Sequence, residues 1–275
     1  VPANVALEKI LESSDGERFA VVGLPCHIHG IRKAQHMNAK LRESIVLCLG
    51  LFCEGAPSFY GTKFLLNRMA GIKEKIEKLD YRSNGWPGGV SITSKNRCVF
   101  IPHKDVWHFF GQFFYYPKRC TLCCDGLNDL SDISFGDAWL PEYSNDNRGT
   151  SLLLSRSNIG DQLLIKSQLK SAAILSKVDS DKVVHSQKFM LYYKKVIALQ
   201  SKLNKNKPTY KCNHSAKFDL SNLVIEIVQN FNIYISNNRI LAAMLNCVPL
   251  KIIRIYGLPI SLIILMKSRN FFKKL

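Results

Sequence analysis

The segment FAVVGLPCHIHGIRKAQHM, residues 19–37, is the stretch that decides the fold. Its first six residues form a continuous apolar run, which is typical of a strand buried on both faces. Pro25 and Cys26 follow this run directly, and the residues from His27 to Leu41 predict a helix. The predicted unit is therefore a strand, a cysteine and a helix, in that order.

The same unit occurs a second time in SIVLCLGLFCEGAPSFYGTKFLLNRMAG, residues 44–71. Its apolar run ends at Phe52 and Cys53, and a helix is predicted from Tyr60 onward, with Ser58 as its N-cap. Strands that alternate with helices predict an α/β fold with a parallel sheet. Because ligands of such sheets collect at the carboxyl ends of the strands, Cys26 and Cys53 are expected at one edge.

The later segments differ in character. Residues 76–101 predict an antiparallel β insertion around a Gly/Pro turn, and further strands are predicted at 132–137 and 151–156. From residue 159 onward the chain is predicted to be mostly helical, with a polar linker at 202–218. We therefore expect an α/β domain over residues 1–165 and a basic, mostly helical region over residues 166–275.

Composition is that of a globular protein, with 47% hydrophobic and 21% charged residues in a chain of 275. The nine cysteines are odd in number, and the first residues lack the basic and apolar regions of a secretory signal. Reduced thiols in a cytoplasmic protein are expected, and some of them are candidate metal ligands.

The net charge of +17 is concentrated in the second half of the chain. Residues 1–150 hold 18 basic and 16 acidic residues, whereas residues 151–275 hold 20 and 5. No nucleic-acid-binding motif is visible, so nucleic acid is not expected as a partner. The apolar C-terminal segment is interrupted by Lys251, Arg254 and Pro259, which predicts a helix docked on the protein's own core. Contact of this basic helix with a membrane surface is the alternative.

The segment KRCTLCCDGLNDLSDISFGDAW, residues 118–139, contains the Cys-x-x-Cys pair Cys120 and Cys123. Two thiolates cannot complete the shell of a metal centre, so Cys26 and Cys53 are the candidates for the other ligands. A [4Fe-4S] cluster and a structural zinc ion both use four thiolates. A redox-active disulfide at Cys120–Cys123 is a third interpretation.

Four segments, in this order, resemble the coenzyme F420 hydrogenase/dehydrogenase beta-subunit family over roughly residues 4–165. They are GLPCHIHGIRKA, GLFCEG, YRSNGWPGG and the Cys-x-x-Cys segment. The family usually has Gln after the Pro-Cys pair, where this chain has His27.

The resemblance implies an oxidoreductase with an iron–sulfur cluster and a flavin. It implies that Cys26, Cys53, Cys120 and Cys123 ligate one [4Fe-4S] cluster, and that FAD exchanges electrons with a hydride carrier such as coenzyme F420. It also implies a redox protein partner or a ferredoxin-like segment.

Candidates for the flavin pocket are polar or glycine residues near turns, where the backbone can approach a cofactor and Arg can bind phosphate. They are Arg82, Asn84, Gly85, Gly88, Gly89, Ser134, Gly136, Asp137, Thr150 and Ser151. Asp132 is expected either to cap a backbone N–H group or to pair with Arg119 or Lys118.

Two other functions remain open at this stage. A zinc-stabilised, non-enzymatic module that binds an anionic partner explains the cysteines and the basic half. A family member that retains only the cluster, for electron transfer, explains the same residues without a flavin.

Overall fold

The structure is a computed structural model that describes residues 3–198 and 219–272. The polar linker predicted at 202–218 lies outside the described residues. The described ranges form seven strands: β1 (Phe19–Gly23), β2 (Ile45–Leu51), β3 (Ile76–Ser83), β4 (Gly89–Ser94), β5 (Cys98–Pro102), β6 (Ile133–Asp137) and β7 (Ser151–Ser155).

The α-helices alternate with the first strands and then dominate the C-terminal part. They are α1 (Ala3–Glu12), α2 (Pro25–Met37), α3 (Ala39–Ser44), α4 (Phe59–Phe64), α5 (His103–Phe110), α6 (Asn158–Leu169), α7 (Ser180–Ser186), α8 (Lys188–Tyr192), α9 (Leu220–Asn237), α10 (Arg239–Leu245) and α11 (Leu250–Phe272). Short 3₁₀ turns lie at Lys118–Leu122 and Pro141–Tyr143, and π-helical segments at Leu65–Met69 and Tyr193–Ala198. The predicted α/β class with an antiparallel insertion and a helical C-terminal region is confirmed.

The chain divides into two compact units. The first comprises residues 1–54, 125–139 and 150–186, and the second comprises residues 55–124, 140–149 and 187–275. Their boundaries differ from the division into 1–165 and 166–275, which remains a prediction.

The first unit is built on a four-stranded sheet with the order β1-β2-β6-β7. The pairs β1–β2 and β2–β6 are parallel, and β7 pairs antiparallel with β6 at the edge. Its core joins Ile28 and Ile31 of α2 to Val21, Ile45 and Cys48 of the sheet. The repeated strand-helix unit predicted from sequence forms this parallel pair. β1 lies at the sheet edge, with Val21 buried and Val22 65% exposed, so the expectation of burial on both faces is wrong for β1.

The helix predicted from His27 to Leu41 is broken in two. Asn38 is extended, with φ −136° and ψ 119°, and its side chain accepts the backbone N–H of Leu41 at 3.0 Å as the N-cap of α3. An amide side chain that caps in this way competes with continuation of the helix, which explains the break.

The second unit contains the antiparallel sheet β3-β4-β5 and an aromatic core. Phe109 stacks on Phe64 with ring centroids 4.1 Å apart and on Phe114 with centroids 4.9 Å apart. The aromatic residues of this region therefore form core. Ile253 of α11 is buried in the same core, which confirms that the C-terminal helix docks on the protein itself.

Membrane-crossing potential is limited in the described ranges. No single helix there has the length and apolarity to cross a bilayer. Taken together, α10 and the part of α11 up to Arg269 are long and apolar enough, but the two helices are bent by 103° relative to each other.

Candidate functional site

Two candidate ligands lie at one edge of the sheet in the first unit. β1 and β2 are parallel neighbours with Gly23 opposite Gly50, so their carboxyl ends share an edge. Cys26 follows β1 by three residues and is exposed, and Cys53 follows β2 by two residues and is half-buried. The predicted placement of both thiols beyond the strand ends is therefore confirmed.

The two thiols differ in their relation to a helix. Cys26 lies in the first turn of α2, where the backbone N–H groups and the helix dipole favour a thiolate. Cys53 does not open a helix, because α4 begins only at Phe59. Residues 54–58 form an intervening loop, in agreement with the helix predicted from Tyr60 onward.

His27 secures the start of α2. Its Nδ1 accepts the backbone N–H of Leu24 at 3.4 Å, while the backbone N–H of His27 donates to the Leu24 carbonyl at 2.9 Å. A side chain that reaches back to the N-cap residue satisfies a donor that the helix cannot. His27 therefore positions the turn that carries Cys26.

Asn128 joins the two strand ends and was missed by sequence reasoning. It is fully buried, and its Nδ2 donates to the Gly23 carbonyl at 2.9 Å and to the Leu51 carbonyl at 3.3 Å. A Cβ atom on Gly50 would lie 2.5 Å from the Asn128 amide carbon, so only glycine fits opposite it. Asn128 has a positive φ of 61° and lies in a turn that the Asp125 carboxylate caps. Asp and Asn are residue types typical of such turns, which is the local sequence signal for this residue.

Asp132 has a different partner from the one expected. It pairs with Arg32 of α2 at 3.0 Å and accepts the backbone N–H of Cys48 at 2.7 Å, so the predicted pairing with Arg119 or Lys118 is wrong. Arg32 lies 100 residues away in sequence, and only the packing of α2 on the sheet brings it near. Burial raises the pKa of the Cys48 thiol, which is fully buried and therefore a core residue.

The flavin candidates on β6 and β7 serve contacts inside the first unit. The hydroxyl of Ser134 is buried and accepts a hydrogen bond from Arg156 at 2.6 Å. At Gly136, a Cβ atom would lie 1.9 Å from the ring of Phe52, so that ring occupies the space of the missing side chain. Asp137 pairs in register with the exposed Ser151, and the Thr150 carbonyl accepts the N–H of Ala138.

In the second unit, the turn between β3 and β4 carries the other flavin candidates. Asn84, Gly85 and Gly88 all have positive φ. A Cβ atom on Gly88 would lie 2.1 Å from the Ser83 carbonyl oxygen. Gly85 and Gly89 are similarly crowded by backbone oxygens, those of Asn147 and Ile101. Close packing of the chain on itself therefore explains these glycines.

Arg82 belongs to a group of four residues that we call the Arg82 corner. Arg82 and Trp86 lie at the end of β3 and in the turn after it, and His103 and Trp107 lie on α5. The guanidinium of exposed Arg82 lies 5.6 Å from the centre of the Trp86 ring, and the rings of His103 and Trp107 stack with centroids 6.0 Å apart. Burial, together with the charge of Arg82, lowers the pKa of His103 to about 4. At neutral pH the corner therefore presents one cation and a neutral imidazole.

The Cys-x-x-Cys pair also belongs to the second unit. Cys120 lies in the 3₁₀ turn and donates its N–H to the Pro117 carbonyl at 2.9 Å. Cys120 and Cys123 are half-buried, whereas Cys124 is buried. Both cysteines of the pair are partly accessible, and their role as ligands stays a prediction.

Across residues 3–198 and 219–272, no three His, Cys, Asp or Glu side chains are grouped closely enough to hold a metal ion. Cys26 and Cys53 belong to the first unit and Cys120 and Cys123 to the second. The four-cysteine ligand set therefore stays a prediction.

Curated relatives with sequence similarity are proteins named for coenzyme F420. The coenzyme F420 hydrogenase subunit beta of Methanothermobacter thermautotrophicus is 26% identical over 167 residues, 59% of this chain and 54% of that protein. The coenzyme F420-dependent sulfite reductase of Methanocaldococcus jannaschii is 23% identical over 187 residues, 63% of this chain and 27% of that protein. The chain thus spans about half the length of the hydrogenase beta subunit and about a quarter of the reductase.

A solved structure of the F420-reducing [NiFe] hydrogenase complex from Methanosarcina barkeri contains a similar chain. The TM-score is 0.46 at 17% sequence identity, with 70% of this chain and 64% of that chain covered. The family model for the C terminus of the coenzyme F420 hydrogenase/dehydrogenase beta subunit matches residues 16–181, which is more than half of the chain. The chain therefore belongs to the coenzyme F420 hydrogenase/dehydrogenase beta-subunit family.

Proposed function

We propose that this chain is the electron-transferring part of an oxidoreductase that carries a [4Fe-4S] cluster and a flavin and exchanges hydride with a carrier such as coenzyme F420. The observation that carries the proposal is the placement of Cys26 and Cys53 beyond two neighbouring parallel strands, in a chain that also has Cys120 and Cys123. Relatives named for F420-linked hydrogenases and a sulfite reductase support the redox class.

The donor set fits a thiolate-ligated centre. Cys26, Cys53, Cys120 and Cys123 all retain some exposure to solvent. The start of α2 favours the thiolate form of Cys26, and Asn128 fixes the strand ends that precede Cys26 and Cys53. When bound, the cluster passes single electrons and the flavin converts them to hydride equivalents.

Among the candidate flavin residues, the polar side chains support a flavin site better than the glycines do. The spaces at Gly88 and Gly136 are filled by the protein itself, so no cofactor is needed to explain those residues. The candidates that combine polarity with at least partial exposure are Arg82 and Asn84 in the second unit and Asp137, Thr150 and Ser151 in the first. A cluster-only protein is therefore the second candidate function, because it needs none of the glycine contacts.

The experiment is anaerobic purification followed by assays of iron, sulfide, zinc and flavin on one sample. We expect about four irons per chain and a visible absorption that dithionite bleaches. Cys26→Ser and Cys53→Ser should each lower the iron content severely. Cys98→Ser is the matched control, since Cys98 is an exposed cysteine on β5 outside the ligand set.

The outcomes separate the candidate functions. Iron with flavin supports the full proposal, and iron without flavin supports the cluster-only protein. Zinc without iron refutes both and supports the zinc-stabilised binding module. A control variant that loses as much iron as Cys26→Ser would show that the loss reflects unfolding.

A redox protein partner is part of the same proposal. The relatives named as hydrogenase subunits are components of larger assemblies by name, and residues 151–275 carry 20 basic against 5 acidic residues. Such a basic excess favours an acidic partner surface by charge complementarity. A reducing, cytoplasmic location remains a prediction.

A further inference from the structure

Lys194 is a buried cation that the fold alone does not explain. It lies in the π-helical segment Tyr193–Ala198 of the second unit and is only 1% exposed. Its neighbours Val196 and Ile197 belong to the apolar core. Lysine is almost never fully buried unless it is paired, and π-helical segments are frequent at functional sites.

The ammonium group has few partners in the described ranges. Its Nζ donates to the carbonyl oxygen of Cys120 at 3.4 Å, and it lies 5.7 Å from the centre of the Tyr193 ring. No ion pair of Lys194 is found among residues 3–198 and 219–272. A hydrogen bond of 3.4 Å to a neutral acceptor is long and does not offset the cost of burying a charge.

The position of Lys194 suggests why a lysine is buried here. Cys120 is the first cysteine of the Cys-x-x-Cys pair, so the cation lies against the backbone of the segment that offers two thiolates. We propose that Lys194 is a positioning residue that balances the negative charge of the centre held by Cys120 and Cys123. This inference rests on the proposed function, because the centre is the anion that Lys194 would face.

The charge has a predictable electrical consequence. Reduction of a thiolate-ligated cluster by one electron makes it more negative, and a nearby fixed cation stabilises that reduced state. Removing the cation therefore shifts the reduction potential to more negative values. A tenfold fall in the ratio of reduced to oxidised cluster at a fixed solution potential corresponds to about 59 mV for a one-electron couple.

The test is a dithionite titration of the anaerobic protein, followed by the visible and electron paramagnetic resonance spectra of the cluster. Lys194→Met removes the charge and keeps an unbranched side chain, Lys194→Arg keeps the charge, and Lys188→Met is a control on the half-buried lysine of α8. We expect at least a tenfold fall in the ratio of reduced to oxidised cluster for Lys194→Met, with Lys194→Arg and Lys188→Met close to the unaltered protein.

Each outcome decides a different statement. A cluster in Lys194→Met with an unchanged potential overturns the role of Lys194 and leaves the proposed function intact. Absence of a cluster in the unaltered protein overturns both. Should Lys194→Met fail to fold by circular dichroism, Lys194→Gln, which is neutral but retains a donor, takes its place. Loss of iron in folded Lys194→Gln, with full iron in Lys194→Arg, supports the inference.

Discussion

Replacement of Asn128 is the sharpest test of how the candidate ligands in the first unit are positioned. The Asn128 amide is fully buried and holds the Gly23 and Leu51 carbonyls, at the ends of β1 and β2. Asn128→Ala removes both hydrogen bonds and places alanine at a φ of 61°. Asn128→Gly removes the same bonds but tolerates that φ.

The expected loss of stability is the sum of two costs, the lost hydrogen bonds and the strain of the positive φ. Two buried hydrogen bonds contribute about 2 kcal/mol together, at about 1 kcal/mol each. Placing alanine in the left-handed region costs about 1 kcal/mol more. We therefore expect a loss in the free energy of unfolding of about 3 kcal/mol for Asn128→Ala and about 2 kcal/mol for Asn128→Gly.

The assay must report on the first unit, because a chain with two compact units need not unfold in a single step. Hydrogen exchange followed by mass spectrometry on peptides covering β1 and β2 measures the local free energy of opening. Asn158→Ala is the control, since Asn158 is an exposed asparagine at the start of α6 in the same unit.

Two results would refute the reasoning. Protection of β1 and β2 in Asn128→Gly within about 0.5 kcal/mol of the unaltered protein would mean that the side chain does not hold the strand ends. Equal losses in Asn128→Gly and Asn158→Ala would mean that the effect is not specific to this position.

Three further predictions concern stability and surface binding. Unfolded His103 gains a proton below about pH 6.5, whereas folded His103, with a pKa of about 4, does not. His103 should therefore leave the free energy of unfolding unchanged above pH 6.5 and lower it by at most about 3 kcal/mol between pH 6.5 and 4. Urea unfolding at several pH values measures this dependence, and His103→Gln should lack it. Gly136→Ala should cost about 1–3 kcal/mol through its clash with Phe52, and the addition of Phe52→Leu should recover part of the loss, whereas Gly30→Ala, in open space, should cost nothing. On the outer face of α11, Ile255 and Leu262 are 66% and 55% exposed, and Ile255→Glu or Leu262→Glu should weaken sedimentation with anionic lipid vesicles roughly tenfold each. If the unaltered protein does not sediment with such vesicles, membrane contact is excluded as the role of this face.

Local sequence patterns determined the elements of this protein. The apolar runs at 19–24 and 44–51 are long enough, and bounded sharply enough by Pro25 and Cys53, to specify neighbouring parallel strands, although β1 lies at the sheet edge and buries only one face. The Gly/Pro turn near residue 85 likewise specified the antiparallel insertion. Because a strand followed by a crossover helix returns parallel beside its predecessor, the common edge of Cys26 and Cys53 also followed from the pattern.

Tertiary structure alone decided which distant side chains meet. Asp132 and Arg32 are 100 residues apart, Asn128 and Gly23 are 105 apart, and Lys194 and Cys120 are 74 apart. No periodicity encodes these contacts, because they depend on which strand becomes the neighbour of β2 and on how helices pack against each sheet. The same dependence explains why the glycines expected to face a flavin are crowded by Phe52 and by backbone oxygens, since the space beside a glycine is set by whatever element packs there.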